Sequence, residues 1–388
     1  LDKLDNLLPN FSLKRGSSIS RPINIRKSGY KTINMATGYS IEMKKRIGQG
    51  AYGYIYDSMI NRPSLKSKQI VVKINKDGDE KKDIIAFLKE CILHNEMWCR
   101  IQNMDSEDMD GIDKNEIIPK IEFIGKIDIY TTTSEYETYY FMGMEKLDGD
   151  MEHYIQYNNK IKEDFQNNNL EELKVSISEY TEILTDCIEQ VSIKLEFLQK
   201  HFKFMHRDLW FKNVMFKRNG EQLIWYIIDF GRSTAVLSGD TYDNGEPYRI
   251  NKRVEKGEFH DRWPKNFDTY KHGEGFNKSH DLRMFIASLY PFIPFDDEYL
   301  NIMSVKGAVI FKKYHDLYLY FTEILRNTGW YTTLKLEHTL WHNYVYHYVY
   351  AIEDPNFTPS NILKNIQKMK NEQITELIEL TYQPKYFK

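Results

Sequence analysis

Cysteine is scarce in this chain: three in 388 residues, Cys91, Cys99 and Cys187, without paired spacing and each within an apolar helical pattern. That argues against a disulfide framework and suits reduced core residues in a cytosolic-type compartment. No apolar run approaches the roughly eighteen residues of a membrane span, and no signal-peptide pattern opens the sequence. Its first residue is Leu rather than Met, as in a fragment or a processed product. Neither sign of charge dominates, with 53 Lys and Arg against 56 Asp and Glu and a net charge of -3. No global field therefore directs the chain to nucleic acid or membrane, although a local basic groove stays open. No internal repeat is visible. What is present is apolar material for a sizeable core, 41% of residues, in a length that could hold two or three average domains.

One stretch organises the rest. It reads His206-Arg207-Asp208-Leu209-Trp210-Phe211-Lys212-Asn213, then Val-Met-Phe, a polar turn around Asn219-Gly220, an apolar run from Leu223 to Ile228, and Asp229-Phe230-Gly231. Two apolar runs about an Asn-Gly step predict a β-hairpin, because that step accepts the positive φ of a tight turn. Such a hairpin would bring Asn213 and Asp229 side by side near Asp208. An amide and a carboxylate together offer oxygen ligands to a hard cation such as Mg²⁺. Asp208 would remain to accept a proton. Taken singly, these would be ordinary Asx turn residues; their joint order is what is specific.

The stretch resembles the catalytic centre of the protein kinase superfamily, an H-R-D-x-x-x-x-N loop followed by D-F-G, with both motifs complete. Upstream, Gly48-Gln-Gly50-Ala-Tyr-Gly53 is a weak signal alone, since the dinucleotide-binding fold shares its spacing but needs a helix immediately after. Here Tyr54-Ile55-Tyr56 favours a strand, so the glycines read as a strand-turn-strand flap whose N–H groups can approach phosphates. Ile70-Val71-Val72-Lys73-Ile74 resembles the V-A-I-K strand, with Lys73 reaching the α and β phosphates; a surface lysine on an edge strand is the plainer alternative. A lysine in a low-dielectric cleft needs a carboxylate to keep its charge, and the family implies a glutamate from the next helix. Glu90 is preferred to Glu96 because Phe87, Leu93, Met97 and Ile101 then share its face. His94, one turn on, stands where many kinases place an apolar residue. Glu145-Lys146-Leu147-Asp148-Gly149-Asp150 resembles the interlobe hinge. That implies main-chain contacts from Glu145 and Leu147 to adenine with Met144 behind them, and Ile47, Ile55 and Val71 lining the nucleotide site.

The resemblance implies an α+β, bilobal protein-kinase-like fold: a partly flexible extension over 1–38, a small β-rich N-lobe over 39–146, and a larger helical C-lobe over 147–388 with insertions and C-terminal helices. Folded structure is expected to begin near Tyr39, after an extension carrying Lys14, Arg15, Arg21, Arg26 and Lys27. Residues 103–116 form an acidic break without calcium-loop spacing, and 157–170 a polar insertion. Ile183, Leu184, Cys187, Ile188, Val191, Leu195 and Leu198 predict a long core helix. Asp281 resembles the aspartate that accepts hydrogen bonds from the catalytic loop, a helix N-terminal carboxylate being the alternative. Helical spacing runs through Leu317, Tyr320, Phe321 and Leu325 within the aromatic stretch from Phe311 to Tyr350, and Asp354 to Ile362 introduces a final capped helix.

The implied activity is transfer of the ATP γ-phosphate to a Ser or Thr hydroxyl of a protein substrate. Asp208 would orient the hydroxyl and take its proton, Lys73 would orient phosphates under Glu90's control, and Asn213 with Asp229 would hold Mg²⁺, with Mn²⁺ as an alternative. Lys212, placed as the basic residue of many tyrosine kinases, would reach the transferred phosphate. Arg207 would pair with a phosphate on the following segment, which contains Ser233, Thr234, Ser238 and Thr241. Two departures stand out: Trp210 where Ser/Thr kinases usually carry lysine, and no A-P-E motif, with only a distant candidate at Trp263-Pro264. Haspin-like kinases and several from large DNA viruses also lack that motif. The expected partners are ATP and protein substrates, with no specific nucleic acid, in a monomer. The expected location is the cytoplasm, or a host cytoplasm or virion, because heavy Ile, Asn, Lys and Tyr usage suits an AT-rich genome. A pseudokinase scaffold and a small-molecule kinase are the rival readings.

Overall fold

The computed structural model describes residues 31–34, 40–50, 53–62, 65–76, 81–130, 136–154, 159–161, 163–164, 167, 169–237, 240–243, 276–289, 309–311, 316–317, 320, 355–371 and 377–379. Expectations for the basic residues of the extension, for Ser238, for Trp263-Pro264 and for most of the aromatic stretch lie outside the described residues. The chain divides into two compact units, residues 1–147 with 228–245 and residues 148–227 with 246–388.

The first unit is built on a six-stranded antiparallel sheet in the order β1-β2-β3-β4-β6-β5. These are β1 Lys31–Asn34, β2 Ser40–Gln49, β3 Gly53–Asn61, β4 Lys68–Asn75, β5 Ile121–Tyr130 and β6 Tyr136–Glu145. Side chains alternate between faces along a strand. Ile70, Val72 and Ile74 therefore join Ile41, Tyr56, Ile60 and Phe141 in one cluster. The other face receives α1, Lys81–Gln102, whose Phe87, Leu88 and Cys91 pack with Ile121, Ile124, Tyr140 and Met142. Lys73, between Val72 and Ile74, falls on the α1 side. The sheet starts earlier than Tyr39, because Lys31–Asn34 pairs with Met43 back to Ser40. Four residues between Gly29 and Gly38 carry too little periodicity to be read from sequence. The acidic break holds a 3₁₀ turn, Ser106–Met109, pinned by buried Met109 and turned by left-handed Asp110 and Gly111. Among the described residues no group of three or more His, Cys, Asp or Glu side chains could hold a metal ion. Strands β10 Thr234–Leu237 and β11 Asp240–Asp243 complete this unit as a hairpin, with β10 against α1.

The second unit is organised by α2, Leu170–Phe202. This helix starts well before the predicted run, because buried Leu173, Ile177 and Tyr180 extend the apolar stripe among charged residues. It ends where Lys203 turns left-handed and Phe204 N–H returns to Leu198 O at 3.4 Å. The sheet β7-β8-β9 comprises Gly149–Asp150, Val214–Asn219 and Gln222–Ile227. Its hairpin pairs Asn219 with Gln222, so Gly220 and Glu221 form the loop and Gly220 takes the positive φ of 63°. The open end pairs Val214 with Ile227, directly after Asn213 and two positions before Asp229. Edge strand β9 is met by a polar stripe on α2. Gln190 Nε2 donates to Leu223 O at 2.8 Å, Trp225 N donates to Gln190 Oε1 at 3.0 Å, Trp225 Nε1 donates to Asp186, and Lys194 donates to Trp225 O. Covering an edge in this way satisfies its backbone and blocks further strand pairing. Helix α3, His280–Ser288, also contacts α2. A 3₁₀ turn, Pro355–Phe357, leads into α4, Pro359–Asn371, with proline in the first helical turn as predicted for the capped helix. Phe311 lies in a strand, β12 Val309–Phe311, paired with β13 Leu377–Glu379, and not in a helix. No described helix is long and apolar enough to cross a membrane.

Gly143 in β6 tests the packing of the first unit. A Cβ there would stand 2.2 Å from the ring of Phe123 on the neighbouring strand. Gly143→Ala should lower unfolding free energy by about 1–3 kcal/mol, the usual cost of overpacking, read from the denaturant midpoint; an unchanged midpoint would refute the close approach.

Candidate active site

The first unit carries the glycine flap, the lysine and one acidic ligand. At the flap, Gly50 N–H donates to Gly53 O at 2.8 Å, closing the turn between β2 and β3. A Cβ on Gly53 would fall 2.7 Å from Ile74 O, so glycine is what lets the chain return against β4. Gly50 lies over Lys73, its position for a Cβ 3.7 Å from Lys73 Cε, and that of Gly48 is 3.5 Å from Ile55 Cδ1. Ile55 pairs with Lys73, and Val71 with Met144, so these four side chains share one face of the sheet. Ile47 is exposed on β2 and Leu147 is buried. Glu145 N–H donates to Lys120 O at 3.0 Å while its Oε1 accepts from Lys120 N at 2.8 Å, fixing the end of β6.

Lys73 Nζ lies 2.5 Å from Glu90 Oε1 and 3.2 Å from Asp229 Oδ1. Burial works against the Lys73 ammonium, but Asp229 and Glu90 outweigh it and hold its pKa above the ordinary value. Two carboxylates share that one ammonium. Burial, with Asp229's charge adding, therefore raises Glu90 to about 7 in spite of Lys73. Glu96, the other candidate, is turned outward and pairs with Arg100 one helical turn on. Asp229 takes φ of 64°, a left-handed conformation that needs support from neighbours. The next residue, Phe230, is fully buried and accepts from Ser233 N at 3.1 Å.

The second unit carries the His206 to Asn213 loop. Buried Asp281 accepts from His206 N at 2.7 Å and from Arg207 N at 2.9 Å. It thus takes the loop-anchoring place as well as standing in the first turn of α3. Burial pushes its carboxyl upward, but His280 and the loop donors prevail and hold its pKa below the ordinary value. Held in this way, Arg207 adopts φ of 63° and is itself buried. A second tether, Phe211 N to Ser288 Oγ at 2.9 Å, went unread in the sequence; Ser288 lies one helix length beyond Asp281 and carries no motif. Asn213 Nδ2 donates to Asp208 O at 2.7 Å, which turns its Oδ1 away from that carbonyl as a hard oxygen donor. Asp208 is partly exposed. Lys212 Nζ lies 3.0 Å from Glu152 Oε1, both half-exposed, and within 5.7 Å of the Trp210 ring centre. Glu152 also escaped sequence reading, since it is one carboxylate among several after the hinge-like stretch.

One expectation is corrected. Ser233 and Thr234 are buried, because the chain after Gly231 passes into β10 under α1, so neither hydroxyl is presented for phosphorylation. Thr241 belongs to β11.

The first unit thus holds a charged buried lysine beside a carboxylate oxygen donor, and the second an amide oxygen and a partly exposed aspartate on a strained, anchored loop; each carries residue types that phosphoryl transfer uses. Residues 41–254 match the family of protein tyrosine and serine/threonine kinases. No curated protein matches the chain. With more than half its length so matched, and with an antiparallel sheet unit followed by a largely helical one, the chain belongs to the protein kinase family, whose members use ATP and a divalent metal ion.

Proposed function

We propose that this protein kinase transfers the γ-phosphate of ATP to Ser or Thr hydroxyls of protein substrates with Mg²⁺ as its metal. The observation that carries the reading is the Lys73–Glu90–Asp229 cluster, in which a buried ammonium is held charged beside two carboxyl groups, a burial with little structural return unless the ammonium is wanted at that spot. Lys73 orients phosphate oxygens, and Glu90 keeps it charged and aimed. Gly48, Gly50 and Gly53 bring backbone N–H groups over the phosphates, while Ile47, Ile55, Val71 and Met144 enclose the base and Glu145 and Leu147 offer it main-chain groups. Asn213 and Asp229 would hold the metal. When bound, Mg²⁺ supplies charge neutralisation across the phosphate oxygens. Asp208 orients the acceptor hydroxyl and receives its proton as the O–P bond forms. Arg207, buried with its N–H on Asp281, serves to shape the loop.

The Ser/Thr preference is supported by Lys212. It is the feature that most resembles tyrosine kinases, yet its ammonium is engaged with Glu152. A cytoplasmic setting goes with this reading, since Cys91, Cys99 and Cys187 are free thiols without paired spacing.

Two outcomes test the proposal. With radiolabelled ATP, Mg²⁺ and a mixed panel of protein acceptors, Asp208→Ala and Lys73→Met should each lower the transfer rate at least about a hundredfold, and acid hydrolysis should release phosphoserine or phosphothreonine. A wild-type rate in either variant sinks the mechanism, and phosphotyrosine alone sinks the specificity. Asp281→Ala leaves two buried N–H groups without their acceptor. It should destabilise the fold by about 2–6 kcal/mol, summing two losses of about 1–3 each, as read by chemical denaturation; a loss under about 0.5 kcal/mol would contradict its anchoring place.

A further inference from the structure

Strand β6 ends at Glu145, which pairs with Ile70 of β4. The next residue, Lys146, continues the ladder with its side chain where the strand stops. Its Nζ donates to Asp57 Oδ1 at 3.1 Å, and Gln69 Nε2 donates to the same oxygen at 3.1 Å. Asp57 belongs to β3 and Gln69 to β4, so the clasp crosses two strands to reach the chain leaving the third. Burial alone would raise the Asp57 carboxyl, but Lys146 and Gln69, with Lys44 nearby, prevail and hold its pKa below the ordinary value. The pair is partly shielded, with side chains 31% exposed at Lys146 and 21% at Asp57.

The place of the clasp gives it a task. Asp57 pairs with Val71, and Ile55 with Lys73. Alternation along the strands therefore sets Asp57 and Gln69 on the face of Ile55, Val71 and Met144. The phosphotransfer reading gives that face to the base of ATP, and gives the main chain on either side of Lys146 to the base's polar edge. We infer that Asp57 is a positioning residue: through Lys146 it ties the main chain of Glu145 and Leu147 to β3 and β4, and so sets the gap that a flat purine enters. The inference deepens the proposed function and rests on it for the identity of the ligand.

Asp57→Ala, Lys146→Met and the double variant test the tie. Amide hydrogen exchange over residues 144–148 is measured in nucleotide-free protein, together with Kd for adenosine and kcat and KM for ATP. Each single variant should quicken that exchange and weaken adenosine by about 1.5- to 5-fold, the scale of one partly exposed ion pair. KM for ATP should rise alongside while kcat holds. The double variant should be no worse than the worse single, because both changes remove the same contact. Penalties that multiply in the double variant overturn the inference. So do unchanged exchange over 144–148 in both singles, quickening spread evenly over the whole sheet, or a fall in kcat at constant KM. Should Asp57→Ala fail to fold, Lys146→Met decides by the same readings. Should wild-type protein bind neither adenosine nor ATP, the proposed function falls, and exchange over 144–148 alone decides whether Asp57 holds Lys146.

Discussion

A buried ammonium fixes the architecture of the first unit. Taking the Lys73 charge out of water costs several kcal/mol even after relaxation, and only two carboxylates in van der Waals reach make that tolerable. Each must come from a different element: Glu90 from α1, Asp229 from the chain that leads into β10. The sheet must therefore present Lys73 on the face where α1 packs, which the alternation of Ile70, Val72 and Ile74 toward the opposite core ensures. Helix α1 must in turn dock by Phe87, Leu88 and Cys91 for Glu90 to arrive. Apolar packing supplies the stability, and the ion cluster spends part of it on placement.

The second unit applies the same principle with the sign reversed. Asp281 is a carboxylate without accessible surface, and its counterparts are backbone N–H groups and His280. Among the described residues four non-glycine ones take positive φ, and two of them, Arg207 and Asp229, lie in the motifs. Lys203 and Asp110 serve a helix end and a turn, where such conformations are common. Arg207 and Asp229 have no such excuse. Each is over-determined by contacts within its own unit: Asp281 holds the N–H of Arg207, and buried Phe230 follows Asp229. Strain of about 1–3 kcal/mol per residue survives only under such constraint.

Much of this was legible because motif and pattern agreed. The Asn-Gly hairpin, the apolar face of α1 around Glu90 and the strand containing Lys73 each had a period that matched its element, and Asp281 stood at a helix start where its role could be read. What stayed hidden lacked a period or needed a partner distant in sequence. Strand β1 is too short to alternate visibly. The stripe Asp186, Gln190, Lys194 looks like ordinary helix surface until β9 is laid against it. Ser233 and Thr234 read as an accessible phosphorylation segment because hydroxyls give no sign of burial; the fold decides that by turning them under α1. Ser288 and Glu152 are single side chains whose targets lie 77 and 60 residues away, at Phe211 and Lys212.

The two oxygen donors proposed for the metal differ in preparedness, and the difference bears on the place of Glu90. The amide of Asn213 is oriented by its own Nδ2 bond to Asp208, so its oxygen has one direction to face. Asp229 instead shares its charge with Lys73, at 3.2 Å against the 2.5 Å of Glu90, and its side chain is 36% exposed. It is the partner that can turn toward another cation at least cost. Were Glu90 absent, that turn would strip Lys73 of its remaining carboxylate and leave a buried ammonium free to lose its proton. With Glu90 2.5 Å away, Lys73 would keep a carboxyl partner were Asp229 to turn toward a cation. Burial raises the pKa of Glu90 to about 7, with the charge of Asp229 adding and Lys73 opposing. Lys73, Glu90 and Asp229 would thus let the proposed acidic ligand turn while the ammonium keeps a partner.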